Sequence, residues 1–152
     1  MRLFELKSNK LLELPSKKFS LERDIQIVIE NNIEDLFNLE LVTTEFSLGE
    51  FRFDTLCFNN QTNSFVIIEY KNKHSRSVID QGYSYLISML DNKSEVIQEY
   101  NEVKNRSLRR GEVDWSSTKI IFVSPSFDVY QKKCVTDDCP FELYEIKNFD
   151  EK

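Results

Sequence analysis

A change in hydrophobic period near Leu41 constrains the fold of this chain more than any other feature. Before it, apolar residues recur at helical spacing from Ser20 to Phe37, and Ser20 can serve as the N-cap of an amphipathic helix. From Leu41 to Lys71 the period falls to two, which is typical of half-buried strands. We therefore predict one helix followed by three strands, over 41–46, 51–58 and 64–71.

The second half of the chain alternates between the same two patterns. The polar connection Asn59–Asn63 favours an antiparallel hairpin between the second and third strands. The continuous apolar run at Lys119–Val123 is typical of a strand that is covered on both faces and lies inside a sheet. We also predict helices over 76–90, 93–104 and 127–135, and a last strand over 141–146.

This order of elements predicts one α/β (α+β) domain with a mixed central sheet flanked by helices. We assign residues 20–152 to that domain. Residues 1–19 combine a short apolar start with Pro15, and we interpret them as an N-terminal arm packed on the domain.

Composition narrows the class of protein. Of 152 residues, 40% are hydrophobic, which is enough for one stable core. The net charge of -6 excludes a histone-like binder, so a polyanion would have to meet a local basic patch. No apolar run approaches the roughly 18 residues of a membrane span, and the three cysteines do not indicate a disulfide scaffold. We expect a soluble, cytoplasmic protein that does not contact membranes.

Two acids and a lysine are expected to converge in the strand region. Glu69 and Lys71 are two residues apart in the third strand, so both side chains leave the same face, about 7 Å apart at the backbone. Asp54 lies in an otherwise apolar stretch of the second strand, and the predicted hairpin brings it beside Glu69.

A divalent cation would reconcile these acids with burial. Two adjacent carboxylates repel each other, and their burial costs several kcal/mol unless a hard cation with oxygen ligands neutralises them. We expect Mg²⁺ (or Mn²⁺) as cofactor, with Asp54 and Glu69 as ligands and Lys71 orienting a nucleophile or offsetting phosphate charge. This chemistry is that of phosphodiester hydrolysis.

The same residues resemble a known family. Asp54 followed at a distance by Glu69-Tyr70-Lys71, in a helix-strand-strand-strand-helix-strand order, is similar to the motif of the PD-(D/E)XK nuclease superfamily. The resemblance covers roughly residues 20–146 and departs from the motif at Phe53, where a proline is often found. It implies a restriction-endonuclease-like αβββαβ core and a metal-dependent endo- or exonuclease.

Further residues follow from the resemblance. Gln81 and Tyr85, in Gln81-Gly82-Tyr83-Ser84-Tyr85, look like the QxxxY signature of the branch that contains recombination exonucleases and archaeal repair endonucleases. In that branch the pair lies beside the metal site and DNA. A helix-one glutamate completes the metal site in the family. We match it to Glu22, which shares a helix face with Ile25 and Ile29 and is expected to point inward, with Glu30 as the fallback.

The resemblance implies that the substrate is nucleic acid, specifically DNA, and that the protein acts in defence or repair. Lys73 and Arg76 belong to a basic run that leaves the site and could hold phosphates, and Lys104–Arg110 forms a second, less favoured run. A homodimer or a larger complex that supplies targeting stays open. The alternative is a non-catalytic module of the same fold that binds nucleic acid or a partner protein. In the blandest interpretation, Glu69 and Lys71 form only a weak ion pair on a solvated strand edge.

Overall fold

The computed structural model describes residues 1–72 and 78–150. Its strands are β1 (Leu3–Lys7), β2 (Lys10–Leu14), β3 (Ser16–Lys17), β4 (Glu40–Leu48), β5 (Phe51–Asn59), β6 (Ser64–Tyr70), β7 (Lys119–Ser124), β8 (Phe141–Glu145) and β9 (Asn148–Phe149). Its helices are α1 (Glu22–Glu30), α2 (Ile33–Phe37), α3 (Val78–Asp91), α4 (Lys93–Lys104) and α5 (Val129–Cys134).

The centre of the fold is a five-stranded mixed sheet in the order β4-β5-β6-β7-β8. β4, β5 and β6 form an antiparallel meander, as predicted. After the α3 and α4 crossover, β7 joins β6 in parallel, and β8 then joins β7 in parallel. The prediction of an α+β domain with a mixed central sheet flanked by helices is confirmed.

A hydrophobic core lies on each face of the sheet. β6 contributes to both, because its successive side chains alternate between the faces. Phe65 and Ile67 pack with residues of α3 and α4, whereas Val66, Ile68 and Tyr70 pack with α1 and α2. All seven residues of β6 are buried, so this strand is central and not an edge.

The predicted first helix is two helices. The chain breaks at Asn31 and Asn32, where the Asn32 side-chain amide donates to the Val28 carbonyl oxygen at 2.7 Å. Such a side chain competes with the backbone for hydrogen bonds and favours a helix end. The assignment of Ser20 as N-cap is also wrong. Leu21 occupies that position, and its backbone N–H donates to Oδ2 of Asp24 at 3.0 Å.

The segment before α1 contains strands that the sequence patterns did not predict. β1 and β2 form a hairpin whose turn residues Ser8 and Asn9 both have positive φ, of 48° and 62°. This backbone suits the right-handed twist of a two-residue hairpin turn. β3 pairs with β9, so the end of this segment is joined to the other end of the chain.

Helix α3 lies unusually close to β8 at Gly82. A Cβ atom built on Gly82 would lie 2.6 Å from Cε1 of Phe141, which is closer than carbon atoms approach in proteins. Phe141 itself is 1% exposed and is held between the helix and the sheet. Glycine is therefore required at this position by packing and not by backbone conformation.

No helix in the described part of the chain is long and apolar enough to cross a bilayer.

Candidate functional site

The predicted acids lie at a fork in the central sheet. The β5–β6 ladder runs from Asn59↔Ser64 to Thr55↔Ile68. Beyond this point β5 continues along β4, as in the pair Phe46↔Phe53, whereas β6 continues along β7. Asp54 and Glu69 are the next residues of the two separating strands.

The two acids bridge the fork with their own side chains. The backbone N–H of Asp54 donates to Oε1 of Glu69 at 3.1 Å. In return, Oδ2 of Asp54 accepts from the backbone N–H of Tyr70 at 3.2 Å. Each carboxylate thus replaces a carbonyl that the diverging ladder no longer supplies, which keeps buried backbone donors satisfied. Asp54 therefore lies beside Glu69, as the hairpin register predicted.

Burial gives Glu69 an unusual protonation behaviour. Glu69 is 2% exposed. Burial, followed by the hydrogen bond and negative charge of the Asp54 side chain, raises the pKa of Glu69 to about 10, against the opposing influence of the Asp54 backbone N–H and of Lys71. The bland interpretation of a solvated edge pair is therefore wrong for Glu69.

Lys71 and Tyr85 lie within electrostatic reach of these acids, and Gln81 contacts Tyr85. Lys71 is half-buried, and its positive charge acts on Glu69. Within α3, the side-chain amide of Gln81 donates a hydrogen bond to the Tyr85 hydroxyl at 3.0 Å, so the two side chains form a pair. Burial raises the pKa of Tyr85, and the charges of Glu69 and Asp54 add to the effect. The fork, Lys71 and the Gln81–Tyr85 pair therefore form one region.

The helix-one acids occupy different places from those expected. Glu22 is exposed and not inward-pointing, because it is the first residue of α1 and lies past the end of β6. Its Oε1 accepts from the backbone N–H of Asn72 at 3.3 Å, directly after Lys71. Glu30, the fallback, lies on the sheet face that carries Thr55 and Tyr70, and it accepts hydrogen bonds there.

The acids at the fork provide two carboxylates and not three. Across residues 1–72 and 78–150, no three histidine, cysteine, aspartate or glutamate side chains are grouped so that they could hold a metal ion. Asp54 and Glu69 remain a pair of hard oxygen donors, which suit Mg²⁺ or Mn²⁺ when water and substrate oxygens supply the other positions.

The two basic runs can be assigned only in part. Lys73 and Arg76 lie outside the described residues. In the second run, Lys104 and Arg106 form ion pairs with Glu40, at 3.2 and 3.0 Å. Burial raises the pKa of Glu40, but hydrogen bonds from Asn60, Arg106 and Lys104 outweigh it and lower the pKa to about 2. Part of the second run is thus engaged with a structural acid.

Two residues near the fork were not identified from the sequence. Gln26 of α1 donates to the backbone carbonyl oxygen of Asp54 at 3.2 Å. Arg52 is exposed, and its charge acts on Tyr85. Its position two residues before Asp54 on an alternating strand was the available signal for Arg52. No local pattern marks Gln26, whose contact spans 28 residues.

A cavity on the α1 side of the sheet does not contain the acid pair. It has a volume of about 830 Å³ and lies beside α1, α2 and β4, with Glu30, Glu34, Glu40 and Lys104 in its wall. The functional assignment therefore depends on the chemistry of the fork and not on cavity size.

Comparisons with known proteins agree with this fold. No family model matches the sequence. The chain is 45% identical over 151 residues to an uncharacterized protein of Haemophilus influenzae. The matched region covers 99% of this chain and 50% of that relative. The chain thus spans about half the length of the curated relative that it matches.

Two solved structures are similar to this one. A repair endonuclease from Pyrococcus abyssi has a TM-score of 0.54 at 16% identity, over 86% of this chain and 49% of that one. EndoMS in complex with double-stranded DNA has a TM-score of 0.55 at 15% identity, over 95% and 64% of the two chains. At these identities the similarity shows the fold alone, and the chain shares the fold of these two structures.

Proposed function

We propose that this protein is a divalent-metal-dependent nuclease that hydrolyses phosphodiester bonds in DNA. The observation that carries the proposal is the fork: Glu69, 2% exposed, faces a second acid, Asp54, where two strands separate. A fold gains no stability from placing like charges together in its interior, so perturbed acid pairs of this kind are typical of functional sites.

Asp54 and Glu69 would hold the cation. Each carboxylate has two oxygens, so a backbone hydrogen bond to Oδ2 or Oε1 leaves a second oxygen for a ligand. The bound Mg²⁺ or Mn²⁺ would lower the pKa of a water molecule and stabilise the charge that develops on the phosphate. Glu22 is proposed as the helix-one acid of this site, because its carboxylate lies next to the residue after Lys71.

The other residues of the region would position the substrate. The Lys71 ammonium would orient the nucleophile or offset phosphate charge. The Gln81 amide fixes the Tyr85 hydroxyl by donating to it, so Tyr85 can present its own O–H to a phosphate or base. These assignments correspond to the proposed membership in the PD-(D/E)XK superfamily and its QxxxY branch.

DNA is the proposed substrate because the fold is shared with a repair endonuclease and with EndoMS, which was solved in complex with double-stranded DNA. Lys73 and Arg76 are proposed phosphate contacts, and the exposed Arg52 beside Tyr85 is a further candidate. The proposed location is the cytoplasm, and a dimer or larger complex would supply targeting.

One observation favours the alternative function, a DNA-binding module that does not cut. Among the described residues, the fork supplies two grouped acids and not the three that would hold a metal ion by themselves. A degenerate site of this kind would bind DNA through the same surface but have no turnover.

The deciding experiment compares wild type with Lys71→Met. Manganese affinity is measured by calorimetry, and cleavage is measured on plasmid, linear and single-stranded DNA with Mn²⁺. We expect wild type to bind Mn²⁺ and to cut. Lys71→Met keeps the apolar stem of the side chain, so it should bind metal and DNA normally while cleavage falls at least about a hundredfold.

Lys133→Met is the matched control, since Lys133 is exposed on α5. It should cut like wild type. Wild type that binds DNA but cuts none of the three substrates, with Lys71→Met binding equally well, would establish the non-cutting module instead.

A further inference from the structure

We infer that Gln26, Glu30, Thr55 and Tyr70 form a hydrogen-bonded network that positions Asp54 and Glu69 from the opposite face of the sheet. The four residues lie between α1 and the sheet, where Tyr70 packs with Ile25 and Ile29. None of them belongs to the metal or substrate contacts proposed above. The inference rests on the proposed function in one respect only, namely that the positioned acids take part in cleavage.

Glu30 is the centre of the network. Its Oε1 accepts from the Gln26 side-chain amide at 2.7 Å and from the Thr55 hydroxyl at 2.8 Å. Its Oε2 accepts from the Thr44 hydroxyl at 2.8 Å. One carboxylate thus joins α1 to two neighbouring strands of the sheet.

The direction of each hydrogen bond follows from the donor inventory. Thr55 has one hydroxyl hydrogen and gives it to Glu30, so the 2.8 Å contact with Tyr70 must use the tyrosine O–H as donor. The Gln26 amide has two hydrogens, and both are used, one for Glu30 and one for the Asp54 carbonyl oxygen. The direction of every hydrogen bond in the network is therefore fixed, so the four side chains have a single hydrogen-bonded arrangement.

The network reaches the fork on both of its strands. Thr55 is the first residue of β5 that pairs with β6, and Asp54 precedes it. Tyr70 follows Glu69 and gives its backbone N–H to Asp54. The Thr55–Tyr70 hydrogen bond thus crosses the opening between the strands where the ladder no longer does, and Gln26 fixes the Asp54 backbone from the side of α1.

Such a connection matters for catalysis because reacting groups must be held to within a fraction of an ångström. The separation of Asp54 and Glu69 depends on how far β5 and β6 diverge. A network that limits this divergence sets the distance between the two carboxylates, so these residues act through Asp54 and Glu69 and are positioning residues.

Paired substitutions at Thr55 separate positioning from packing. Thr55 is fully buried. Thr55→Val keeps its volume and removes the hydroxyl, whereas Thr55→Ser keeps the hydroxyl and removes a methyl group. If the residue only fills space, Ser is the more damaging change. If it positions the fork, Val is the more damaging change.

The primary measurement is amide hydrogen exchange at Asp54 and Tyr70, whose N–H groups bridge the fork. In Thr55→Val these two amides should exchange at least about tenfold faster relative to Ile121 of β7, and in Thr55→Ser they should match wild type within about threefold. Unchanged exchange in Thr55→Val, or faster exchange in Ser than in Val, would overturn the inference.

Gln26→Met provides a second variant that disturbs the core less, because Gln26 is only half-buried. Its control is Gln98→Met. Gln98 donates to Glu102, four residues later, at 3.1 Å, as Gln26 donates to Glu30, but it does so on an exposed helix face. Gln26→Met should speed exchange at Asp54 and Tyr70, and Gln98→Met should not. Equal exchange in the two variants would contradict the network.

Cleavage distinguishes this inference from the proposed function. In an active enzyme, Thr55→Val and Gln26→Met should lower kcat about 10- to 100-fold with KM within about threefold, and Thr55→Ser should retain activity. Activity kept in both Val and Met variants overturns the positioning role alone. Wild type without Mn²⁺ binding or cleavage overturns the proposed function, while the exchange rates still decide the network.

Discussion

Glu40 and Glu69 are the same residue type in opposite surroundings. Glu40, at the start of β4, accepts from Asn60, Arg106 and Lys104, and these partners lower its pKa to about 2 against the effect of burial. Glu69 is buried beside Asp54, and burial followed by that neighbour raises its pKa to about 10. The chain neutralises the first acid with its own cations and places the second next to another acid.

The difference separates an acid that is neutralised within the chain from an acid that is not. Glu40 ties α4 and the connection after it to the sheet, so its interactions are complete within the chain. The Asp54–Glu69 pair stabilises the fold only when a proton or a cation reduces its charge. An acid pair of this kind could bind the cation of the proposed metal-dependent hydrolysis.

The largest expected effect is the loss of cleavage when the pair is broken. Asp54→Ala and Glu69→Ala should each lower cleavage by more than about a hundredfold, because each removes one metal ligand and one electrostatic group. Glu40→Gln should cut like wild type. Gel assays of plasmid cleavage and calorimetry with Mn²⁺ measure both properties, and unchanged cleavage in both alanine variants would remove the site from the fork.

The pH dependence of stability should distinguish the pair next. The unfolded chain releases the Glu69 proton near the ordinary pKa of 4.5, whereas the folded protein holds it up to about 10. The stability that Glu69 contributes is therefore complete below about pH 4.5 and is lost as pH rises towards 10. In EDTA at pH 8, Glu69→Gln should be more stable than wild type, by about 1–3 kcal/mol.

Urea unfolding at pH 4 and pH 8 provides the measurement. The advantage of Glu69→Gln should disappear at pH 4, and Mg²⁺ at pH 8 should stabilise wild type more than the variant. A variant less stable than wild type at pH 8 would mean that Glu69 is satisfied as a structural acid, like Glu40.

The salt dependence of DNA binding tests whether the first basic run contacts phosphates while the second run, partly paired with Glu40, does not. Lys73→Glu and Arg76→Glu should each lower the slope of log affinity against log salt by roughly one unit, as expected for one lost phosphate contact. Arg109→Glu, an exposed change in the second run, is the control and should leave the slope unchanged. Fluorescence anisotropy at several salt concentrations gives the slopes. The reverse outcome would move the DNA surface to the second run.

The smallest expected effect concerns the stability contributed by Glu40. Its pKa is lowered from 4.5 to about 2, so its contribution is present above pH 4.5 and lost as pH falls towards 2. Glu40→Gln should cost about 0.5–1 kcal/mol at pH 7, since solvent screens this partly exposed group, and nothing near pH 2. Thermal unfolding across that range should show the opposite trend from Glu69→Gln.

Local patterns correctly predicted the five strands of the central sheet and most helices. Alternation located β4, β5 and β6 within about two residues, because one buried face dictates the side-chain period. The same patterns missed the break at Asn32 and the β1–β2 hairpin, whose Ser8-Asn9 turn lacks the glycine that usually marks such turns.

The acid pair was predictable, but its supporting contacts were not. Asp54 and Glu69 follow from hairpin register, whereas the fork depends on where β5 leaves β6, which no residue pattern encodes. Glu22 was expected to point inward because it shares a helix face with Ile25 and Ile29. Helical spacing identifies that face, but it does not show that the first residue of the helix lies beyond the sheet and is exposed. Gln26 and Glu30 acquire their partners only from the packing of α1 on the sheet.

The contact between Gly82 and Phe141 has a consequence for engineering this protein. Replacing a mid-helix glycine with alanine is a standard stabilising substitution, worth about 1 kcal/mol from helix propensity. Here the new methyl group would meet the Phe141 ring at 2.6 Å, so α3 or the ring would have to move. Gly82 follows Gln81 directly and lies one turn from Tyr85, so a thermostabilising library that includes this position would shift the Gln81–Tyr85 hydrogen bond with it. Stability screens should therefore leave this glycine unchanged.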